Sequence, residues 1–125
     1  SEGIGPASGG ERTTKTATIA QGASLSDAVD TGGLTILSIL MPATWDAAVL
    51  TFQGSLDGVT YGNVYDESGN EYTVQAAASR AIGIDAASPL LGFRYIKVRS
   101  GTAASAVNQT TGDGPRAISL AVRPL

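Results

Sequence analysis

Phe93-Arg94-Tyr95-Ile96-Lys97-Val98-Arg99 alternates apolar with polar side chains and is rich in aromatic and β-branched residues. That period of two is the mark of a half-buried strand. Upstream, Val49-Leu-Thr-Phe-Gln-Gly-Ser-Leu56 has the same character and runs into Asp57-Gly58, a pair suited to a tight turn with positive φ. Tyr61–Tyr65 then reads as a short strand, Ser68-Gly69-Asn70 as a turn and Glu71–Val74 as the hairpin partner. Arg80–Ile84 and Ala117–Val122 add strands downstream. Toward the N-terminus, Thr13–Ala20 and Leu25–Val29 read as strands, the second closed by Thr31-Gly32-Gly33. Leu34–Met41 is apolar on both alternating faces, which predicts a central strand covered on either side and ended by Pro42. The one helix candidate, Ala76–Ala81, is too short to change the class.

Eight or nine short strands, turn signals at sandwich-like spacing and no repeat of fixed period predict an all-β fold, an antiparallel β-sandwich of jelly-roll type. Its 125 residues suffice for one core. We expect a sandwich domain over residues 13–125, preceded by a flexible N-terminal arm over residues 1–12. In that arm Ser1–Gly10 has four glycines, a proline and a single isolated apolar residue, Ile4.

Composition removes many functions. With no cysteine the chain has no disulfide, thiolate metal site or cysteine nucleophile. With no histidine it lacks the commonest general base and zinc ligand. The net charge is −3, with only eight Lys and Arg, which argues against nucleic acid and against an anionic membrane surface as partners. Leu34–Ala43 is far shorter than the roughly 20 residues of a membrane span. Ser1–Arg12 has no apolar stretch of the signal-peptide kind. Charged residues make up only 15% of the chain, which leaves a surface of small uncharged residues suited to close contact with other protein.

The residues that could carry chemistry are few. Asp66, Glu67, Asn70 and Glu71, with Asp57 nearby in sequence, could surround a cation, but their spacing fits no EF-hand loop and we expect a solvated hairpin turn. A glycosidase would need a facing carboxylate pair, for which Asp57 and Glu71 are the candidates. No other motif supports catalysis, so we expect no enzyme, no cofactor and no metal. Trp45, Tyr61 and Tyr65, with Tyr72, stand in or beside loops, where rings could stack on sugars or anchor an interface. Phe52, Phe93 and Tyr95 lie in alternating strands and are expected to pack the core. Asn108-Gln109-Thr110 matches a glycosylation pattern that is frequent by chance.

Leu50–Tyr61, a strand entering a Ser-x-Asp-Gly turn followed by an aromatic, together with Phe93–Arg99, resembles the strand-turn signatures of discoidin-like jelly-roll domains. The resemblance runs in order over about Leu34–Val122, and this chain lacks the cysteines such domains frequently carry. More specifically, Leu25–Leu34, Met41-Pro42 with Trp45, Asp57–Tyr61, Lys97–Gly101 and Val107–Gln109 resemble small virion structural proteins of tailed bacteriophages. That family resemblance implies a virion structural protein: a capsid decoration (cement) protein on the outer surface of the capsid, made in the host bacterial cytoplasm. The alternative is a carbohydrate-binding or adhesion module on a tail or spike, with Trp45, Tyr61 and Tyr65 as stacking platforms. The implied partners are the major capsid protein and neighbouring copies of the same chain, as a trimer or else a dimer. On the particle Ile4 would then be buried against a neighbouring subunit, with Arg12 and Lys15 near carboxylates where the arm leaves the sandwich.

Overall fold

The computed structural model describes residues 12–124, which form two four-stranded antiparallel sheets packed face to face. The expectation at Ile4 lies outside the described residues. In chain order the strands are β1 Thr13–Ile19, β2 Val29–Asp30, β3 Thr35–Leu40, β4 Leu50–Ser55, β5 Gly62–Asn63, β6 Ala81–Gly83, β7 Tyr95–Ser100 and β8 Arg116–Arg123. One sheet has the order β1-β8-β3-β6 and the other β2-β7-β4-β5. Early and late strands therefore alternate across each sheet.

The period-two pattern does what it predicts in β7 and β8. Ile96, Val98 and Ser100 are buried on β7 and Ile118, Leu120 and Val122 on β8, while the residues between them lie on the outer face, where all but Arg99 reach solvent. Ala17, Ile19, Ile36 and Ile39 complete the inner layer of the first sheet, and Leu50, Phe52 and Val29 that of the second. Phe52 is fully enclosed and its ring centroid lies 5.6 Å from that of Tyr72. Burying a side chain of this size contributes roughly 1.5–3 kcal/mol.

Three expectations are corrected. Leu34–Met41 is not covered on both sides: β3 lies between β8 and β6, but its outer face meets solvent and Leu40 is 53% exposed. The continuous apolar run has another cause, a register shift between Ile36 and Ser38 against β8. That bulge resets the alternation, so Ile36 and Ile39, three residues apart, both point inward. Leu25–Val29 does not form a continuous strand. Leu25 makes one bridge to Arg99, and Asp27 instead closes the rim of β1, its Oδ1 accepting from the Thr18 N–H (2.9 Å) while its own N–H donates to the Thr18 carbonyl (3.1 Å). Ala76–Ala81 is not helical. The Ser79 N–H donates to the Pro42 carbonyl and Ser79 has φ of 58°, so the segment turns against the β3–β4 connection and then enters β6.

Turn chemistry places the loops as read. Gly58, at φ of 80°, makes the Asp57-Gly58 turn possible, and Tyr65 pairs with Glu71 across the Ser68-Gly69-Asn70 turn. Gly54 has a different reason to be glycine: a Cβ there would stand 2.6–2.9 Å from the Phe93 ring.

Candidate functional site

The connection from β4 to β5, Leu56–Tyr61, is held by a compact set of hydrogen bonds. Asp57 Oδ1 accepts from the N–H groups of Val59 (2.8 Å) and Thr60 (2.9 Å), and the Ser55 hydroxyl accepts from the Gly58 N–H (2.9 Å). The Thr60 N–H foremost, then the Val59 N–H and the Ser55 hydroxyl, which donates to Asp57 Oδ1 (3.0 Å), hold the Asp57 carboxyl below the usual carboxylate range. The turn also leans on the sheet, since a Cβ on Gly58 would stand 3.3 Å from the Tyr95 ring. On this fixed scaffold Leu56 and Val59 are 75% and 83% exposed, the two most exposed large apolar side chains among the described residues. Apolar groups held in solvent by a rigid turn are organised for contact with another surface, because little ordering entropy is left to lose on binding.

Beside this turn, the outer face of the second sheet carries alternating rings and cations. The Lys97 ammonium sits 4.4 Å from the centroid of Tyr61, and the Arg94 guanidinium lies 5.3 Å from that of Tyr95. Arg94 also pairs with Asp30 at 2.9 Å, which lowers the aspartate pKa and raises that of the arginine. Arg99 is largely buried, donating to Asn63 Oδ1 (2.6 Å) and Thr51 Oγ1 (3.3 Å) and reaching Glu71 at 3.5 Å.

A separate cleft of about 520 Å³ opens between the Tyr65–Glu71 hairpin and the segment around the short 3-10 turn Pro89–Gly92. Tyr65, Asp66 and Glu67 form one wall, Ala87, Pro89, Gly92 and Phe93 the other. Asp66 Oδ1 is occupied by the N–H groups of Ser68 and Asn70, both at 2.9 Å, and so serves its own turn. Glu71 is engaged by Arg99 and by the Ala103 N–H (3.0 Å). Among the described residues, no group of three or more carboxylates is arranged to hold a metal ion.

The opposite end of the sandwich is a polar knot. Gln109 Oε1 accepts from the Asp46 N–H (2.7 Å) and Arg116 Nε (3.2 Å), while its Nε2 donates to the Ser100 hydroxyl (2.8 Å) and the Asp46 carbonyl (3.0 Å). Every polar atom of this fully buried side chain is thereby used. The sequence hid it: it lies within a pattern that reads as a chance glycosylation site, and its partners are up to 63 residues away.

The expected contact residues fall in distinct surroundings. Arg12 is exposed just before β1, and Lys15 is half-buried on β1, close enough to favour the charged form of Asp30. Trp45 packs against the core and donates its indole N–H to the Ala48 carbonyl (3.1 Å), which makes it part of the polar end. Tyr61 lies under Lys97 with its hydroxyl buried, and Tyr65, 51% exposed, lines the cleft. The three rings thus belong to three surfaces. No helix among the described residues is long and apolar enough to cross a membrane. No family model, curated protein or solved structure matches this chain.

Proposed function

We propose that this chain is a non-enzymatic virion structural protein of the capsid-decoration kind, which docks on the major capsid protein and on neighbouring copies at the outer surface of the shell. The observation that carries the reading is the pinned Leu56–Tyr61 turn with Leu56 and Val59 in solvent. The low charge, the resemblance to small phage virion proteins and the strand order β1-β8-β3-β6 over β2-β7-β4-β5, which suits a jelly roll, support it. A protein that binds only the assembled lattice stabilises that lattice by mass action. Particles carrying it should rupture at higher temperature than particles without it, and Leu56→Asp with Val59→Asp should abolish attachment while leaving the melting of the free protein nearly unchanged. Equal rupture temperatures, or absence of the chain from purified heads, overturn the proposal.

A second reading, an adhesion module on a tail or spike, is favoured by one observation. The Tyr65–Phe93 cleft combines rings with the carboxylates of Asp66 and Glu67, a lining suited to a sugar. A glycan array decides it: binding that Tyr65→Ala removes supports this reading, and a flat array ends it.

A further inference from the structure

Among the described residues β1 is the longest edge strand. Of the other sheet edges, β2 and β5 span two residues and β6 three, whereas β1 runs for seven, from Thr13 to Ile19. Short edges are one way in which proteins avoid unwanted strand pairing, and β1 does not use it.

The backbone polarity of β1 follows from two observations. Its register with β8 pairs Thr13 with Val122, Lys15 with Leu120 and Ala17 with Ile118. At Thr18 both backbone groups point away from β8, because Asp27 takes the N–H and donates to the carbonyl. In an antiparallel ladder this direction repeats every second residue. The N–H and C=O groups of Thr16 and Thr14 therefore also point away from β8, and among the described residues nothing pairs with them. Asp27 closes the upper part of the edge and leaves the lower part open.

We propose that a second copy of this chain pairs with that open segment, the two β1 strands running antiparallel about a two-fold axis at Thr14, so that the β1-β8-β3-β6 sheet continues across the dimer. A row of unpaired backbone donors and acceptors is recognised best by another strand. What selects a second copy is the self-complementarity of the segment. With Thr14 opposite Thr14, Arg12 falls opposite Thr16 and Lys15 opposite Thr13, so no cation faces its own copy. Moving the axis to Lys15 would set two ammonium groups against each other across the pair, which is destabilising. Moving it to Thr16 would need the backbone of Thr18, already taken by Asp27. On the outer face Thr14 then meets Thr14 of the second copy, a favourable cross-strand threonine pair, and each Thr16 is flanked by Arg12. The interface is polar and narrow, so the dimer is weak in solution and is reinforced wherever copies are held close together. This inference is independent of the capsid reading, since it concerns only the chain and itself.

Sedimentation of the full chain over a concentration series up to about 1 mM should show a monomer–dimer equilibrium. Thr14→Pro removes an outward N–H without touching the ladder to β8, a change that edge strands tolerate, and should weaken the dimer by tenfold or more. Because the chain has no cysteine, Thr14→Cys should cross-link to a homodimer under mild oxidation, whereas Thr18→Cys should not. A chain that stays monomeric at 1 mM, a dimer indifferent to Thr14→Pro, or equal cross-linking at Thr18 overturns the proposal. If Thr14→Pro fails to fold, the cysteine pair and the concentration dependence of amide exchange at Thr14 and Thr16 decide the question.

Discussion

Arg116 and Asp46 meet across one end of the sandwich, guanidinium Nη2 3.6 Å from carboxylate Oδ1, with the arginine side chain almost wholly enclosed. The arginine does not depend on that pair alone, because it also donates to the carbonyls of Gly114 and Thr111 and to Gln109. Asp46 in turn accepts from the N–H groups of Thr110 (2.8 Å) and Thr111 (3.2 Å). The β3–β4 connection and the loop before β8 are thus tied by charge-assisted bonds on both sides of the pair.

This tie should give the fold an acid-sensitive component. The Thr110 N–H foremost, with Arg116 adding, lowers the Asp46 pKa from 3.8 to about 2. A depressed carboxylate contributes stability that is complete above its unfolded value and fades as pH falls through the folded one. Asp46→Asn should therefore melt below the wild type at neutral pH, and the two melting curves should converge between pH 3.8 and about 2. A difference that stays constant across that range would show that the charge of Asp46 plays no part.

Removing the hub of the same knot should cost more than removing a surface contact. Gln109→Ala strands the buried Ser100 hydroxyl and Arg116 Nε and removes the acceptor of the part-buried Asp46 N–H. Leaving buried polar groups unpaired costs on the order of 1–3 kcal/mol, so denaturant unfolding should lose about that amount. Thr73→Ala, whose side chain makes only an exposed bond to the Glu71 carbonyl, should change stability by less than about 0.5 kcal/mol.

Gly54→Ala should destabilise by about 1–3 kcal/mol, since its Cβ would press on the Phe93 ring and β4 is clamped between β7 and β5. Phe93→Leu in the same chain should return part of that loss. Two losses that simply add would mean that the ring is not the obstacle. A double-mutant cycle by chemical denaturation measures the coupling.

Asp57→Ala should loosen the apolar turn without loosening the core. The amides of Val59 and Thr60 lose their acceptor and should exchange faster by at least tenfold, while those of Ile96 and Val98 keep their protection. In the capsid reading the same variant attaches more weakly to particles although Leu56 and Val59 are intact. Hydrogen exchange on the free protein, followed by particle binding, checks both halves.

The strands were legible where one face is buried and the other wet. Phe93–Arg99 and Ala117–Val122 alternate because each follows a regular pleat, and the Asp57-Gly58 and Ser68-Gly69-Asn70 turns announce themselves through residues suited to positive φ or to side-chain capping. Leu34–Met41 misled because a bulge and a second buried face leave the same trace in sequence, an unbroken apolar run. Asp27 and Gln109 were invisible for a different reason: each takes its role from backbone groups brought near by the fold, at separations of 9 and 63 residues. Of the rings expected to act together, only Tyr65 was placed by its hairpin at a cleft. Trp45 and Tyr61 were claimed by a carbonyl and an ammonium that no local pattern specifies.

β8 lies between β1 and β3, so the last strand among the described residues supplies the neighbour that both of these earlier strands need. Thr13 can find Val122 only after the whole stretch between them has been made. The first sheet therefore cannot close until β8 has been synthesised, at roughly 5–20 residues per second, and β1 and β3 wait with open ladders until then. Such long-range pairing makes maturation slow and intolerant of early termination. A message truncated before Arg116 would leave β1 alone and the β3–β6 pair with no strand to join them, which is material for degradation or aggregation and not a smaller working domain.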